Sequence, residues 1–474
     1  MIENILTQTS DLLWSYVIVA VLIGCGVYFT VCTRGVQFRM LREMIRLLLH
    51  PDKMRQDELA FDVNEPNGKQ KHISSFQAFV VALASRIGTG NLAGVATAIS
   101  IGGPGAVFWM WLIALIGSAS AFVESTLAQL YKRRGETSFY GGPAYYMKYG
   151  LGKSWMGVLF AVLMIITFGF AYNSVQSNTI CAAWQKAFGV DVMWMGVVLT
   201  IFTLVIIFGG IHRVAKFSST VVPVMAVAYL LLTVGIVVWN IAYLPHVLLT
   251  IVEDAFGFYQ AAGGMLGVTV MQGIKRGLFS NEAGEGSAPN AAAVATVSHP
   301  VKQGLIQALG VFTDTLVVCS CTAFIILLSG VDITASNGIQ LTQEALTSEI
   351  GALGNPFIAV TIWLFAFSSV IGNYYYGETN VRYITRRPLW MLLYRLSVAA
   401  MVMIGSVITL DLAWCLADLT MALLTLCNLV AILLLSRQAV FLLNDYRRQK
   451  REGKNPVFKK EQMPDIASRL EAWE

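Results

Sequence analysis

The segment SRIGTGNLAG, residues 85–94, places polar residues and glycines inside an apolar run that extends from residue 76 to 101. Its glycines favour an unwound turn, whose unpaired N–H and C=O groups cost several kcal/mol each in lipid. Such a turn is tolerated where it faces protein, water or a ligand. The positive N-terminal end of the following half-helix attracts a carboxylate, and released carbonyls coordinate a hard cation or an ammonium group. The chemistry indicated is the binding of a small zwitterion. The alternative is close helix packing, because Gly90 and Gly94 have the GxxxG spacing.

Five charged residues also lie inside apolar runs, where each is costly and is expected to be paired or functional. We expect Arg86 to pair with Glu124 or Asp314. These two acids fit a Na+ or H+ site and a structural ion pair equally well, whereas Arg395 and Asp418 are interpreted as structural. The seven cysteines show no CxxC pair and no zinc spacing, so no metal or redox centre is expected from them.

The elements that must position these residues are membrane helices. The chain is 56% hydrophobic and 13% charged, whereas soluble domains have about 25% charged residues. The apolar runs are too long and too uniform for the alternating strands of a barrel, so the prediction is an all-α integral membrane protein. Eleven transmembrane helices are predicted, at residues 12–33, 76–101, 104–131, 155–183, 192–211, 217–240, 255–274, 303–329, 356–377, 389–409 and 412–435.

The distribution of basic residues predicts the orientation. The loops after odd-numbered spans and the C-terminal segment hold 30 of the 33 Lys and Arg residues. The positive-inside rule therefore predicts an external N-terminus, a cytoplasmic C-terminus and, for a bacterial protein, the inner membrane. The basic stretch 445–454 is explained by this topology, and no nucleic-acid partner is expected.

The seventh span carries a second glycine cluster, formed by Gly263, Gly264 and Gly267. If the first span is peripheral, spans 2–6 and 7–11 form two halves, and each half opens on a glycine-interrupted helix. Since five is odd, the halves have opposite orientation, which is the pattern of inverted-repeat transporters. The predicted organisation is therefore a peripheral helix at 1–33, an interfacial helix and loop at 34–75, the first repeat at 76–240, the second repeat at 255–435, and a cytoplasmic tail at 436–474.

Several longer motifs resemble the alanine or glycine:cation symporter family. They are GGPGAVFWMWLIALIG (102–117), GTGNLAGVATAI (88–99), RGLFSNEAGEGSAPNAAA (276–293), GVFTDTLVVC (310–319) and FSSVIGNYYYGETN (367–380). The resemblance implies a LeuT-type fold, in which a 5+5 inverted-repeat core has two broken helices. It also implies uptake of a small neutral amino acid, most often alanine or glycine, driven by Na+ or H+, with no other cofactor.

The resemblance further implies a substrate site at the two breaks. Thr89, Gly90 and Asn91 would hold the backbone groups of the amino acid, while Gly263, Gly264 and Gly267 would leave room for it. Phe168 would cover the site. The Na+ site would use the hydroxyls of Ser368 and Ser369 with backbone oxygens near Gly88, because hard cations take oxygen ligands. Without the family, hydroxyls that bond their own helix would be the simpler interpretation of this serine pair.

One residue departs from the family pattern. Some members that prefer alanine and glycine have Trp where this chain has Asn373. A smaller polar wall would admit a longer side chain, such as that of glutamine. Amides at membrane depth, including Gln176, are expected either to satisfy the unwound turns or to touch ligand.

Other classes of function fit less well. The stretch SNEAGEGSAP (280–289) is predicted to be a cytoplasmic loop that starts a helix at Ser280, with Glu282 and Glu285 pairing with Lys275 and Arg276 or lining the exit. No base partner accompanies its serine, and no Walker or Rossmann motif occurs, so no enzyme activity is expected. A channel would need rings of ligands around a continuous pore. The expected partners are an amino acid, Na+ or H+, and membrane lipid.

Overall fold

The structure is a computed structural model that describes residues 2–49, 73–135, 138–209, 211–257 and 263–473. It is nearly all helical, apart from a short antiparallel hairpin of β1 (Arg133–Arg134) and β2 (Phe139–Tyr140). The α-helices of the first half, in chain order, are α1 (Ile2–Leu12), α2 (Val19–Cys32), α3 (Val36–Arg39), α4 (Leu41–Leu49), α5 (Ser75–Arg86), α6 (Val95–Gly102), α7 (Ala106–Leu130), α8 (Pro143–Tyr145), α9 (Ser154–Met164), α10 (Asn173–Phe188), α11 (Val192–Ile207), α12 (Ile211–Trp239) and α13 (Leu244–Ala255).

The second half is helical in the same way. Its α-helices are α14 (Gly263–Asn281), α15 (Ala288–Ala292), α16 (Pro300–Phe312), α17 (Ser320–Leu328), α18 (Ile339–Ile350), α19 (Gly354–Ile384), α20 (Pro388–Val407) and α21 (Leu410–Arg451). Wider π-helical turns lie at Leu13–Ile18, Gly90–Gly94, Tyr146–Gly150, Ile165–Tyr172 and Thr313–Cys319, and 3-10 turns lie at Gly351–Leu353, Lys460–Gln462 and Pro464–Arg469.

The span prediction agrees with the structure in kind, while the count of eleven remains a prediction. Within the described ranges, eight helices and one bent pair are long and apolar enough to cross a membrane. Val192–Ile207, predicted as the fifth span, is apolar but shorter. The predicted seventh span is also displaced, because α14 continues to Asn281 and encloses Lys275 and Arg276 instead of ending before them.

The helix α7 lies at the centre of the bundle. It packs along α14 and α16, while α10 packs against α19. Its second half is almost completely buried, from Gly117 to Leu130. Because α14 is one of the broken helices described below, α7 is the element that supports it.

One face of the bundle carries the basic residues of α4, β1 and the end of α21, and we call it the basic face. The predicted interfacial region and the predicted tail both lie there. Of the predicted interfacial region 34–75, α3 and α4 are helical, and residues 50–72 lie outside the described part of the chain. The predicted tail folds back onto the bundle after α21. The indole N–H of the fully buried Trp473 donates to the carbonyls of Gln129 and Leu130, at 3.2 and 3.1 Å. The carboxylate of Glu471 pairs with Arg133 at 2.8 Å.

Candidate functional site

The first glycine-rich segment breaks its helix where the sequence predicts. The helical segments before and after the break are bent by 48°. Gly88 N donates to Asn91 Oδ1 at 2.8 Å, and Thr89 N donates to Gln176 Oε1 at 2.9 Å. Side chains therefore replace the lost helical hydrogen-bond partners. Gln176 accepts a backbone N–H of the unwound turn, which is one of the two roles that the sequence left open. Thr89, Gly90 and Asn91 are all completely buried at this point.

A group of oxygen atoms converges on the end of α5. Ser369 Oγ lies 3.1 Å from the carbonyl of Ala84 and 3.2 Å from that of Ile87. Ser368 Oγ lies 3.3 Å from the same Ala84 carbonyl. Both hydroxyls also contact the carbonyl of Phe365 in their own helix, at 2.7 and 3.2 Å. The structure thus brings the two predicted serines to the carbonyls of Ala84 and Ile87, which lie four residues and one residue before Gly88.

The second break lies further along the chain than predicted. The helix α14 ends at Asn281 and α15 begins at Ala288, and the intervening backbone is wound left-handed at Glu282, Gly284 and Gly286, with φ of 55°, 92° and 84°. The stretch predicted as a cytoplasmic segment that starts a helix is therefore a buried interruption between two helices, and Ser280 lies in the last turn of α14. Left-handed φ at two glycines, which lack a Cβ, explains why the helix stops here.

The glycines predicted for the second break lie at the other end of α14. This helix begins at Gly263, and the surroundings of Gly263 and Gly264 lie outside the described part of the structure. Gly267 is exposed, and a Cβ placed on it would have no heavy atom within 4 Å. Gly90, by contrast, lies against the last turn of α14, where an added Cβ would be 2.9 Å from Ser280 Cα. The structure therefore brings Gly90 to Ser280 and does not bring it to Gly267.

Glu124 of α7 fills the second break. Its carboxylate accepts the N–H groups of Gly284 and Gly286, at 3.3 and 3.1 Å. Asn428 of α21 donates to the same carboxylate at 2.8 Å and to the carbonyl of Gly284 at 2.9 Å. Unwound backbone inside the bundle is thereby satisfied, which membrane-depth irregular structure requires. Nothing in the sequence spacing pairs Glu124 with this stretch.

Asp314 joins the two breaks. It accepts from Asn91 Nδ2 at 2.7 Å and from Ser280 Oγ at 2.7 Å, so one buried carboxylate holds a residue of each broken helix. Arg86, expected to pair with Glu124 or Asp314, forms an ion pair with neither among the described residues. Its guanidinium donates to the carbonyl of Gln307 at 3.3 Å.

The remaining charged residues of the spans form structural contacts. Asp418 pairs with Lys275 at 2.9 Å and with Arg276 at 2.7 Å. The predicted pairing of these two cations with Glu282 and Glu285 is therefore wrong, because α14 turns them towards α21. Arg395 donates to the hydroxyl of Tyr374 at 3.0 Å.

Asn373 lies in a chain of polar side chains between α19 and the first break. It is 1% exposed, and its amide donates to Asn173 Oδ1 at 3.1 Å. Ser85 Oγ lies 2.9 Å from Asn373 Oδ1 and 2.8 Å from Glu282 Oε1. This chain connects the span-9 position singled out by the sequence to both breaks.

Aromatic rings cover one side of the same region. Phe168 is fully buried, 4.6 Å from the ring of Tyr172 and 5.4 Å from that of Tyr376. Tyr172 in turn lies 4.6 Å from Phe279, which is next to Ser280 on α14. Sequence reasoning selected Phe168 but missed Tyr172 and Phe279. Phe279 lies two residues before the NEAGEG stretch (281–286), and this position is the signal that could have identified it.

Two helices broken at facing positions, with buried polar groups between them, are typical of membrane transporters. Solved transporter structures show the same LeuT-type fold. MhsT in complex with L-phenylalanine matches with a TM-score of 0.53 at 11% identity, over 85% of this chain and 93% of that chain. A mutant of the Eremococcus coleocola manganese transporter matches with a TM-score of 0.52 at 15% identity, over 84% of each chain.

The family model of the sodium:alanine symporter family matches residues 1–460, and the chain belongs to that family. It is thus a multi-pass membrane protein that couples amino-acid transport to Na+. The probable sodium/glutamine symporter GlnT of Bacillus subtilis is 50% identical, over 100% of this chain and 96% of that protein. The amino-acid carrier protein AlsT of the same organism is 49% identical, over 100% and 98%. The sodium/alanine symporter AgcS of Methanococcus maripaludis is 36% identical, over 95% and 99%.

Proposed function

We propose that this chain imports a small neutral amino acid, alanine or glycine first, together with Na+ by alternating access. The substrate binds where the two broken helices meet, beside Thr89, Gly90 and Asn91 and the Phe279–Ser280 end of α14. One observation supports a ligand here directly. The hydroxyl oxygen of Thr89 is buried and has no hydrogen-bond partner within the described part of the chain, and a buried polar group is normally satisfied.

The observation that carries the coupling is the oxygen cluster of Ala84, Ile87, Phe365, Ser368 and Ser369. Five oxygens lie together there, and the two hydroxyls supply only two protons. A cation bound among them would satisfy the oxygens that these protons do not reach. Carbonyl and hydroxyl oxygens are the ligands that hard cations take.

Glutamine is a second candidate substrate. Asn373 places a short amide where the family resemblance implies a Trp in some members, and the 50% identical relative is called a probable sodium/glutamine symporter. An amide wall can hydrogen-bond a polar side chain that a ring would exclude. Phe168 and its aromatic neighbours would cover the bound side chain in either case.

Uptake by purified protein in proteoliposomes tests this proposal. Labelled alanine should accumulate under an inward Na+ gradient, and not when choline replaces Na+. Accumulation driven equally by an imposed H+ gradient would reassign the coupling ion. Cation flux that needs no amino acid would indicate a channel and overturn the symport mechanism.

We also infer that the protein lies in a bacterial inner membrane with its N-terminus outside. The basic residues of α4, β1 and the end of α21 support this, because the cytoplasmic side attracts them. A reporter active only in the cytoplasm should function when fused after residue 474. Activity of a periplasm-specific reporter at that position would reverse the orientation.

A further inference from the structure

A cavity of about 730 Å³ opens on the basic face, away from the two breaks. It lies between the β1–β2 hairpin, the end of α19 and the start of α20. Six of its lining residues are charged, and one of these six is acidic among the residues that the structure describes. They are Arg134, Arg382, Arg386, Arg387, Arg395 and Glu378.

Among the described lining residues, Glu378 faces four arginines of α19, α20 and the turn between them, Arg382, Arg386, Arg387 and Arg395. Glu378 pairs with Arg382 at 2.6 Å and lies 3.8 Å from Arg395. Arg386 and Arg387 are both exposed, and neither forms an ion pair with an acid in the described ranges. The described lining therefore carries an excess of positive charge, with the guanidinium groups of Arg386 and Arg387 available to an anion.

The cavity also borders the lipid-facing surface. Met391 and Leu392 of α20 line it, and the adjacent side chains Leu389 and Trp390 are 61% and 55% exposed. Exposed apolar residues on a membrane helix face acyl chains, and Trp marks the level of the headgroups. A ligand here would have its anionic group among the arginines and an apolar part beside α20.

We propose that this cavity binds the phosphate group of an anionic amphiphile, such as the headgroup of an anionic phospholipid. Guanidinium groups match phosphate oxygens in paired, charge-assisted hydrogen bonds. Basic pockets between membrane helices are a known setting for anionic headgroups. The proposal concerns a site separate from the transport site and does not depend on the identity of the amino acid.

Thermal unfolding of the purified protein in neutral detergent tests the proposal, with three ligands titrated separately. They are short-chain phosphatidylglycerol, short-chain phosphatidylcholine and inorganic phosphate. The test variant is Arg386→Gln/Arg387→Gln. The control variant is Arg42→Gln/Arg451→Gln, which removes the same charge from exposed positions outside the cavity. Arg386→Lys/Arg387→Lys keeps the charge but loses the planar fork.

Phosphatidylglycerol should raise the unfolding temperature saturably, and phosphatidylcholine should not. In the test variant, the apparent affinity for phosphatidylglycerol should fall roughly thirtyfold, as expected for the loss of two basic residues near a membrane surface. The control variant should keep the affinity of the unmodified protein. An equal effect of inorganic phosphate would assign the site to a free phosphate, and its absence would assign the site to lipid. The proposal is overturned if both glutamine variants respond like the unmodified protein, or if both lose the response equally. Arg386→Lys/Arg387→Lys retains the positive charge. An unchanged response in this variant, together with a lost response in Arg386→Gln/Arg387→Gln, therefore supports the proposal.

Discussion

Asn91 and Asp314 meet in the centre of the bundle, where the amide nitrogen of Asn91 donates to the carboxylate at 2.7 Å. The other oxygen of that carboxylate accepts from Ser280, so the two broken helices share one buried acid. The opposite end of the Asn91 amide accepts the N–H of Gly88. A movement of either break would therefore change the hydrogen bonds of the other.

The Asn91→Ala variant should lower both stability and substrate affinity. It leaves Gly88 N and one oxygen of Asp314 without a partner, and each buried unsatisfied group costs about 1–3 kcal/mol. Thermal unfolding and binding of labelled alanine measure the two effects. Asn337→Ala is the control, since Asn337 is exposed and its amide oxygen accepts only from groups at the surface, Gly338 N and the Ser100 hydroxyl, within the described part of the chain. Equal unfolding temperatures for the two variants would argue against the role of Asn91.

Gly90→Val should abolish amino-acid binding while the protein still folds. Its Cβ would lie 2.9 Å from Ser280 Cα and 3.2 Å from the Phe279 ring, closer than side chains tolerate. Gly267→Val makes the same change at an exposed position with open space around it, and should transport normally. Binding assays on both variants decide between the two glycine clusters. If Gly267→Val is the inactive variant, the substrate site lies at the start of α14.

Ser369→Ala should lower the apparent affinity for Na+ by roughly tenfold or more. Loss of a residue that only supports the ligands of a metal site already lowers metal affinity by about 10–100-fold. The Ser369 hydroxyl is the one that contacts the carbonyls of both Ala84 and Ile87. The measurement is alanine uptake as a function of Na+ concentration. Ser397→Ala is the control, because that hydroxyl bonds the Tyr394 carbonyl of its own helix. An unchanged Na+ dependence in Ser369→Ala would reject the cation site.

Asn373→Trp should narrow the range of substrates towards alanine and glycine. A difference of one methylene in a pocket is worth about 1–3 kcal/mol, so a full ring should discriminate at least tenfold against larger side chains. The near-isosteric Asn373→Leu removes the amide without adding a ring, and should lose glutamine while retaining alanine. Competition of unlabelled glycine, serine, glutamine and leucine against labelled alanine measures both. Identical profiles in all three proteins would place Asn373 outside the substrate pocket.

Trp473→Ala should expose the basic face to protease without changing substrate preference. Trp473 is fully buried, and loss of a buried Trp side chain costs about 3–5 kcal/mol. The expected result is faster tryptic cleavage after Lys459 or Lys460 in the folded protein. Trp239→Ala is the control, because that ring is 87% exposed. Matching cleavage rates would show that the indole does not hold this segment.

The sequence predicts the first break well and the second poorly, for a physical reason. At the first break, glycines interrupt an apolar run, so hydropathy and backbone freedom give the same indication. At the second, Glu282 and Glu285 make the stretch resemble an exposed loop. Those acids are buried because Ser85, Ser287 and the Tyr172 hydroxyl donate to them. These partners come mainly from other helices, which local periodicity does not reveal.

The proposed cation site shows a different limit. The resemblance to a family indicates Ser368 and Ser369, but only the structure identifies Ala84 and Ile87 as the carbonyls beside them. Backbone oxygens leave no mark in the residue types. Ala84 and Ile87 are apolar residues whose side chains give no sign of the role of their carbonyls.

The contact of Trp473 with the end of α7 can form only after almost the whole chain has been synthesised. Its indole reaches the carbonyl of a residue made 344 positions earlier. At about 5–20 residues per second, the Gln129 turn waits roughly 17–70 seconds on the ribosome before its partner exists. During that interval the C-terminal end of α7 lacks the Trp473 indole, so this corner is among the last parts of the molecule to be completed.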